Sequence, residues 1–160
     1  MRVRVVWFGR PAGSPYEAEV ERYRRRVSRR WPAEDVPLRP CTGGRGGDPR
    51  RVLLAEARSA TDQLPAGWTL AALDEGGAAH DSEGLARLLA GLEGRGLPGI
   101  VFVVGSDLGL DPGLLAAAGL RLSLGTLTLP HLLARLVLWE QLFRATHILG
   151  GGGYHRPGLQ

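Results

Sequence analysis

The chain has 160 residues, of which 44% are hydrophobic and 22% are charged, so it fits one globular domain over residues 1–160 and excludes a disordered chain. No apolar run reaches the ~18 residues of a membrane span, and the single cysteine, Cys41, has no internal disulfide partner, so we expect a cytoplasmic protein. The net charge is +4, but residues 1–51 hold 13 of the 20 arginines and only six of the 16 acidic residues, which indicates either a surface for a polyanion or a solvated helix face.

The first part of the chain shows the pattern of a strand, a helix and a second strand. Apolar residues alternate with arginines over residues 2–7, which predicts a strand. Residues 15–31 repeat apolar residues at intervals of three and four, as in a helix with arginines on its other sides. Residues 36–38 are a short strand that contains Pro37. We expect this strand at an edge of the sheet, because proline cannot donate a backbone hydrogen bond.

A glycine-rich loop over residues 41–48, which contains Arg45, separates this part from further alternating elements. Beginning with a helix, the patterns predict alternating helices and strands over residues 49–63, 68–73, 82–93, 100–104, 112–118, 120–124 and 130–149. The β-branched run at residues 100–104 is typical of a strand buried on both faces. The repeated strand–helix alternation predicts an α/β fold, a three-layer sandwich around a mainly parallel sheet.

The last predicted helix, over residues 130–149, is apolar on nearly every side. Leucine, valine and phenylalanine side chains between residues 132 and 143 cover almost all angles around its axis. A helix that is apolar all round must be buried all round, and a sheet covers only one side of an outer helix. The sequence therefore predicts that a second copy of the chain covers the other side, in a homodimer.

Two loops that follow predicted strands have the composition of a ligand site. Residues 105–109 place glycines after the buried strand, at the edge where open parallel sheets bind ligands, although a plain strand-to-helix turn has the same pattern. In the second loop, residues 125–129, Leu127 and Leu129 could pack against an adenine ring while backbone groups bind its edge. The hydroxyls of Thr126 and Thr128 could instead cap the helix or stabilise a turn.

The C-terminal part of the chain carries a more specific pattern. Leu-Thr-Leu-Pro-His at residues 127–131 precedes Arg135, then Glu-Gln-Leu-Phe-Arg-Ala at residues 140–145, and finally Tyr-His-Arg at residues 154–156. With this pattern the chain resembles the ribosomal large subunit pseudouridine N3-methyltransferase family, which are small bacterial enzymes of the SPOUT class. Members use S-adenosyl-L-methionine to methylate helix 69 of 23S rRNA, so the resemblance implies this activity, cofactor and substrate.

The resemblance also implies a SPOUT-type sandwich with a C-terminal trefoil knot, a homodimer, and a cofactor site built from three knot loops. Carried over by position, the cofactor-binding residues are Leu73, Gly105, Ser106, Gly125, Thr126, Leu127, Thr128, Leu129 and Pro130. The family usually has Gly-Gly-Pro-x-Gly where this chain has Gly-Ser-Asp-Leu-Gly at residues 105–109. This difference adds the Ser106 side chain and the negative charge of Asp107 beside the cofactor.

Methylation at N3 of a uracil-type base requires that a proton leave the acceptor nitrogen, so a base or an anion-stabilising cation is needed. In the setting of the family, the candidate catalytic residues are Arg144 and, on a flexible tail over residues 150–160, Tyr154 and His155. Arg144 and the tail each have another explanation. The tail could be merely disordered, and Arg144 follows Glu140 by four residues, as in a helical ion pair.

The arginine-rich segments are candidate RNA-binding surfaces, and no metal site is predicted. The residues expected to contact RNA phosphates are Arg25, Arg26, Arg29, Arg45 and Arg156. Two other functions remain open: a SPOUT methyltransferase that acts on tRNA, and a non-catalytic RNA-binding assembly factor with the same fold. The small size of the chain favours ribosomal RNA, because no appended domain is present to capture free tRNA.

Overall fold

Residues 1–41 and 48–151 are described by a computed structural model, and they form five β-strands and five α-helices in alternation. The elements in chain order are β1 (Arg2–Phe8), α1 (Glu17–Val27), β2 (Ala33–Leu38), α2 (Pro49–Thr61), β3 (Thr69–Ala79), α3 (Ser82–Gly94), β4 (Gly99–Val104), α4 (Pro112–Ala117), β5 (Leu120–Ser123) and α5 (His131–Leu149). A short 3₁₀ helix, Pro11–Gly13, links β1 to α1. The predicted order of helices and strands is confirmed.

All strand pairs in the sheet are parallel, and the strand order is β2-β1-β4-β3-β5. β2 lies at one edge, where Pro37 pairs in register with Trp7 of β1. The edge position predicted from this proline is confirmed, because a proline can be accommodated where one side of the strand has no partner. β4 lies at the centre of the sheet, and all six of its residues are buried, as its β-branched sequence predicts.

Helices cover both faces of the sheet. On one face, α1, α3 and α5 pack over a core that includes Val5, Phe102 and Trp139. On the other face, α2 and α4 pack over a second core that includes Val103 and Leu114. Alternate residues of β4 thus point to opposite helical layers, which explains why the whole strand is apolar. This arrangement is the predicted three-layer α/β sandwich.

β3 is longer than the sequence predicts. The sequence pattern ends this strand at Leu73, before the segment 74–77, but the strand continues to Ala79. Its pairing with β5 shifts register after Leu73, so the glycine-containing segment is an irregularity within the strand. A Cβ atom on Gly77 would lie 2.7 Å from the backbone carbonyl carbon of Arg121. The predicted end was wrong because this glycine permits close approach of two strands rather than a turn.

Aspartate residues cap the N-termini of three helices. Asp48, Asp81 and Asp111 precede α2, α3 and α4, and each accepts a hydrogen bond from a backbone N–H of the first turn. α5 begins differently, since its N-cap is Pro130, which makes no side-chain hydrogen bond. The sequence predicts Pro130 as the first helical residue, so the helix begins one residue later than expected.

α5 is buried on one side and partly open on the other. Leu138, Trp139 and Leu142 are buried, and the helix contacts both α1 and α3. Leu133 and Val137 are half-buried and belong to neither core. The homodimer in which a second copy covers this open side stays a prediction. In residues 1–41 and 48–151, neither α5 nor any other helix is long and apolar enough to cross a membrane.

Candidate functional site

A cavity of about 730 Å³ opens at the carboxyl edge of the sheet. Its walls are the segments that follow the buried parts of β3, β4 and β5, together with the first turn of α5. Open parallel sheets bind ligands at this edge, and the volume is typical of a small-molecule pocket. Eight of the nine predicted cofactor-binding residues line the cavity: Leu73, Gly105, Ser106, Gly125, Leu127, Thr128, Leu129 and Pro130. The ninth, Thr126, is exposed and is not part of the lining.

Two large apolar side chains of the cavity lining are exposed at its rim. Leu127 is 78% exposed and Leu108 is 48% exposed, although both are large hydrophobic side chains. Exposed apolar side chains around a concave surface indicate a place that a ligand covers. A flat apolar ring that lies on these side chains would bury surface that folding leaves in water.

The loop after β4 folds back on itself. Ser106 and Gly109 form an antiparallel bridge, and Gly109 has a φ angle of +81°, which favours glycine. A Cβ atom on Gly105 would lie 2.5 Å from the carbonyl oxygen of Gly109. The sequence pattern indicates close access for a ligand at Gly105, whereas the structure shows that the loop backbone itself already requires glycine here. Substitution of Gly105 would therefore distort the cavity wall rather than remove a ligand contact.

A buried carboxylate holds this loop from behind. Glu56 of α2 is 3% exposed, and its Oε2 atom accepts a 2.7 Å hydrogen bond from the hydroxyl of Ser106. Its Oε1 atom accepts a 3.2 Å hydrogen bond from the backbone N–H of Cys41. No role was predicted for Glu56 from the sequence. A signal was present, because helical spacing places Glu56 on the same side of α2 as Val52 and Ala60, which are buried.

Charged side chains line the mouth of the cavity. The Nδ1 atom of His131 lies 2.7 Å from Oδ1 of Asp107, which connects the start of α5 to the loop after β4. Nη2 of Arg121 donates a 2.5 Å hydrogen bond to Oδ2 of Asp74. Asp74, Asp107 and Glu75 all line the cavity, so its mouth favours a cationic ligand. Within residues 1–41 and 48–151, no group of three or more metal-binding side chains is placed to hold an ion.

A fully buried arginine lies one turn into α5. Arg135 donates hydrogen bonds of 3.0 and 2.6 Å to the carboxylate of Asp35 and of 2.9 and 3.1 Å to that of Glu17. The indole N–H groups of Trp7 and Trp139 also donate to Asp35, at 2.8 and 2.7 Å. Burial opposes the charge of Arg135, but these carboxylates raise its pKa above the usual value.

This network fixes α5, whose first turn lines the cavity, against α1, β1 and β2. Arg135 was predicted only as part of the C-terminal pattern, and its acidic partners Asp35 and Glu17 were not predicted. An arginine within an apolar helix was the available signal, because a buried charge requires an opposite charge close to it.

Of the three predicted catalytic residues, the structure describes Arg144, and Arg144 does not line the cavity of its own chain. Arg144 donates hydrogen bonds of 3.1 and 2.6 Å to Oε1 of Glu140, so the predicted ion pair is present. Arg144 follows Ala134, the last cavity-lining residue of α5, by ten positions, or about 15 Å along the helix axis. Tyr154 and His155 lie outside the described residues.

The predicted RNA-binding arginines near α1 lie at the surface but differ in their contacts. Arg25 donates a 2.6 Å hydrogen bond to Glu21, although its side chain is 74% exposed. The guanidinium of Arg26 lies over the ring of Phe143, 5.1 Å from its centroid. Arg29 is exposed and makes no ion pair within the described part of the chain. The two remaining candidates, Arg45 and Arg156, lie outside the described residues.

Comparison with known proteins identifies the family to which the chain belongs. A family model described as "Predicted SPOUT methyltransferase" matches residues 1–155. The chain belongs to the SPOUT methyltransferase family. The family predicted from the C-terminal pattern is thereby confirmed. For a SPOUT methyltransferase, a ligand-sized cavity at the sheet edge is the candidate site for the methyl donor.

Several curated relatives are similar to this SPOUT methyltransferase over nearly their whole length. "Ribosomal RNA large subunit methyltransferase H" of Acidiphilium cryptum (strain JF-5) is 41% identical over 157 residues, which cover 98% of this chain and 95% of the relative. Proteins with the same name from Gluconacetobacter diazotrophicus and Stenotrophomonas maltophilia (strain R551-3) are 39% and 37% identical. Those matches cover 98% of this chain and 98% and 99% of the two relatives, respectively.

Proposed function

We propose that this SPOUT methyltransferase uses S-adenosyl-L-methionine to methylate N3 of a pseudouridine in helix 69 of 23S rRNA. One observation carries the proposal: three loops that are distant in sequence, and that the resemblance assigned to the cofactor, line one cavity. The curated relatives are named large-subunit rRNA methyltransferases, which supports the same class of substrate. The reaction then belongs to the cytoplasm, together with the ribosomes.

The cavity fits the proposed methyl donor in size and chemistry. Its volume of about 730 Å³ is sufficient for a nucleoside with an amino-acid side chain. Leu127 and Leu129 would pack against the adenine ring, while backbone groups of residues 125–130 would bind its edge. The acidic mouth, which includes Asp107, would favour the positive charge of the sulfonium. When bound, S-adenosyl-L-methionine supplies an electrophilic methyl group that these residues hold in a fixed orientation.

The acceptor base requires groups other than those that line the cavity. In the proposed reaction His155 removes the N3 proton, Tyr154 stacks on the base, and Arg144 stabilises the negative charge that develops. Arg144 lies about 15 Å along α5 from the cavity of its own chain. These groups would therefore act at the cavity of a second chain.

A homodimer would bring the two halves of the site together. Its proposed interface is the open side of α5, where Leu133 and Val137 belong to neither core. The chain leaves α5 at Gly150 and Gly151, and Gly151 has a φ angle of +69°. A tail that starts beside this interface could extend into the partner's cavity, so that each site combines the cofactor loops of one protomer with the tail of the other.

The family also predicts a C-terminal trefoil knot, which we include in the proposal. Its support is that α5 starts among the loops after β3, β4 and β5, and that His131 contacts Asp107 in one of them. A knot would restrict the relative motion of these loops. Such restriction suits a preformed cofactor site, because less conformational entropy is lost on binding.

RNA binding is assigned to the basic N-terminal part of the chain. Arg29 is available for a phosphate contact, since it is exposed and makes no ion pair within the described residues. Arg25 is exposed but also bonded to Glu21, and Arg26 is exposed over Phe143. Arg45 and Arg156 complete the proposed set. Phosphate contacts of this kind supply affinity that falls as salt concentration rises.

Mass spectrometry of ribosomal nucleosides tests the proposed function. Deletion of the gene should remove one methylated pseudouridine from helix 69, and the purified protein should restore it on isolated ribosomes when S-adenosyl-L-methionine is added. A chain truncated after Gly151 should bind the donor with unchanged affinity in calorimetry but restore no methylation. Full activity of this truncated chain would remove Tyr154 and His155 from the mechanism.

The same experiment separates the two alternatives. A methyl group lost from tRNA, with 23S rRNA unchanged, would identify a tRNA methyltransferase. A wild-type chain that binds ribosomes but no S-adenosyl-L-methionine would identify a non-catalytic assembly factor.

A further inference from the structure

We propose that Glu56 and Ser106 form a positioning pair that sets the affinity of the cavity for adenosyl ligands. The inference rests on the proposed function, because it concerns the same cavity. Ser106 lines the cavity and Glu56 does not. Glu56 lies behind the loop after β4 and acts through its 2.7 Å hydrogen bond with the Ser106 hydroxyl.

The surroundings of Glu56 point to a role beyond packing. Its side chain is almost fully buried, and within residues 1–41 and 48–151 it forms no ion pair. Its two hydrogen bonds come from neutral donors, the Ser106 hydroxyl and the Cys41 backbone N–H. Burial of a carboxylate without a cation is costly, and an apolar residue would pack an α/β core at lower cost. The shorter of the two bonds, to Ser106, connects this buried carboxyl group to the cavity wall.

Ser106 transmits the position of Glu56 to the rim. Its hydroxyl oxygen also accepts a 3.4 Å hydrogen bond from the backbone N–H of Leu108, which is one of the exposed leucines of the rim. Ser106 also bridges to Gly109 through the backbone, so the loop is a short closed unit. Because α2 holds Glu56, the pair attaches this closed unit to the helical layer behind it. Without the hydroxyl, the loop would lose that attachment while the bridge within it remained.

A positioning role and an electrostatic role of the pair predict different effects on the affinities for a charged and an uncharged ligand. Ser106→Ala removes the attachment but leaves the Glu56 side chain unchanged. S-adenosylhomocysteine fills the same cavity as S-adenosyl-L-methionine but lacks the sulfonium charge. A displaced cavity wall weakens both ligands equally, whereas an altered electric field weakens mainly the charged one.

Calorimetric titration of the full-length protein with both ligands tests the pair. Ser106→Ala should raise the Kd of each ligand about tenfold, which corresponds to about 1.4 kcal/mol. Ser106→Thr keeps a hydroxyl at this position and should restore affinity. Ser59→Ala is the matched control, because it removes a hydroxyl that donates a hydrogen bond to the Ala55 carbonyl within its own helix, α2. In methylation assays, Ser106→Ala should raise KM for the donor with kcat nearly unchanged.

Glu56→Leu tests the other partner, because it removes the acceptor of the Ser106 hydrogen bond, and it serves alone if Ser106→Ala does not fold, which thermal unfolding of each variant would show. Glu56→Leu should also weaken both ligands, and the double variant should weaken them no more than Glu56→Leu does alone, because the two residues act as a unit. Unchanged affinity in folded variants, additive losses, or failure of Ser106→Thr to restore affinity would overturn the pairing. Loss of S-adenosyl-L-methionine binding alone in Ser106→Ala would do the same. A wild-type chain that binds neither ligand would instead refute the proposed function.

Discussion

At the scale of single residues, Leu127 and Leu54 allow a controlled comparison. Both are exposed leucines, but Leu127 lines the cavity and Leu54 lies on α2, away from it. Leu127→Ser should weaken S-adenosyl-L-methionine binding about tenfold, because a ligand that covers this side chain gains about 1–2 kcal/mol from its burial. The free energy of unfolding should change by less than about 0.5 kcal/mol, since the folded chain leaves the side chain in water.

Calorimetry and urea unfolding measure these two quantities. Leu54→Ser removes the same apolar surface elsewhere and should alter neither binding nor stability. Equal binding by Leu127→Ser and the wild type would show that this rim does not hold the adenine ring.

Asp35 should matter far more for stability than its place in an edge strand suggests. It accepts hydrogen bonds from Arg135 and from the indole groups of Trp7 and Trp139. Within residues 1–41 and 48–151, Asp35→Ala would leave the indole N–H groups without an acceptor and Arg135 with Glu17 as its one charged partner. We expect urea unfolding to show that the free energy of unfolding falls by about 3–5 kcal/mol, the usual cost of breaking a buried ion pair.

The neighbouring residue of β2 provides the control for Asp35. Glu34 forms an ion pair with Arg4, but its side chain is 50% exposed. Glu34→Ala should therefore cost less than about 1 kcal/mol, because solvent screens exposed pairs. Similar losses in Asp35→Ala and Glu34→Ala would show that the buried network contributes little.

At the scale of elements, the charges of α1 give the protein a defined acid sensitivity. Hydrogen bonds from Arg24 and Arg25 lower the pKa of Glu21 from 4.5 to about 2. Because the folded-state pKa is lowered, the stabilisation is complete above about pH 4.5 and is lost as the pH falls through about 2. The free energy of unfolding of the wild type should therefore decline more steeply in this range than that of Glu21→Gln.

Urea unfolding followed by circular dichroism at a series of pH values checks this prediction. The curves of the wild type and of Glu21→Gln should converge at the acid end of the range. Glu19→Gln removes an exposed carboxylate from the same helix and should keep the wild-type slope. Parallel curves for the wild type and Glu21→Gln would contradict the assigned cause.

The sequence predicted the elements well where periodicity and end signals agreed. The β-branched run of β4 and the aspartate before α3 gave that strand and that helix to within one residue. β3 was predicted too short, because Gly77 fits equally a turn and a close strand contact. Only the position of Arg121 on the neighbouring strand distinguishes these cases, and local sequence does not contain it.

The candidate site was predictable to a similar degree. Loops that follow buried parallel strands meet at one edge, so Gly105 and Leu127 could be placed together from the strand pattern and the family resemblance. The contacts of Glu56 and Asp35 could not be predicted in this way. Their hydrogen-bond partners are 50 residues away in the case of Ser106 and 100 residues away in the case of Arg135. Periodicity shows that a position is buried but does not show what lies opposite.

At the scale of the whole molecule, the open side of α5 predicts how two copies associate. Val137 is half-buried and outside both cores, so Val137→Glu should leave the single chain folded but prevent dimer formation. Leu142 is fully buried within one chain, so Leu142→Glu should instead unfold the protein. Sedimentation at micromolar concentration distinguishes the two. A wild-type protein that sediments as a folded monomer would contradict the proposed dimer.

Arg29 tests the proposed RNA surface. Arg29→Glu should weaken ribosome binding and lower the slope of log Kd against log salt concentration by about one, because one phosphate contact is lost. The affinity for S-adenosyl-L-methionine should not change. Arg58→Glu makes the same charge reversal on α2, on the opposite face of the sheet, and should have little effect. Equal weakening by both variants would indicate nonspecific attraction to the net charge.

The cavity is completed late in the synthesis of the chain. Its lining extends from Leu73 to Ala134, and its last part is the first turn of α5. Because a chain leaves the ribosome from its N-terminus, all five strands emerge before this turn can close the cavity. A nascent chain without this turn has only part of the cavity wall, so we expect the proposed methyl donor to bind only after the start of α5 has emerged.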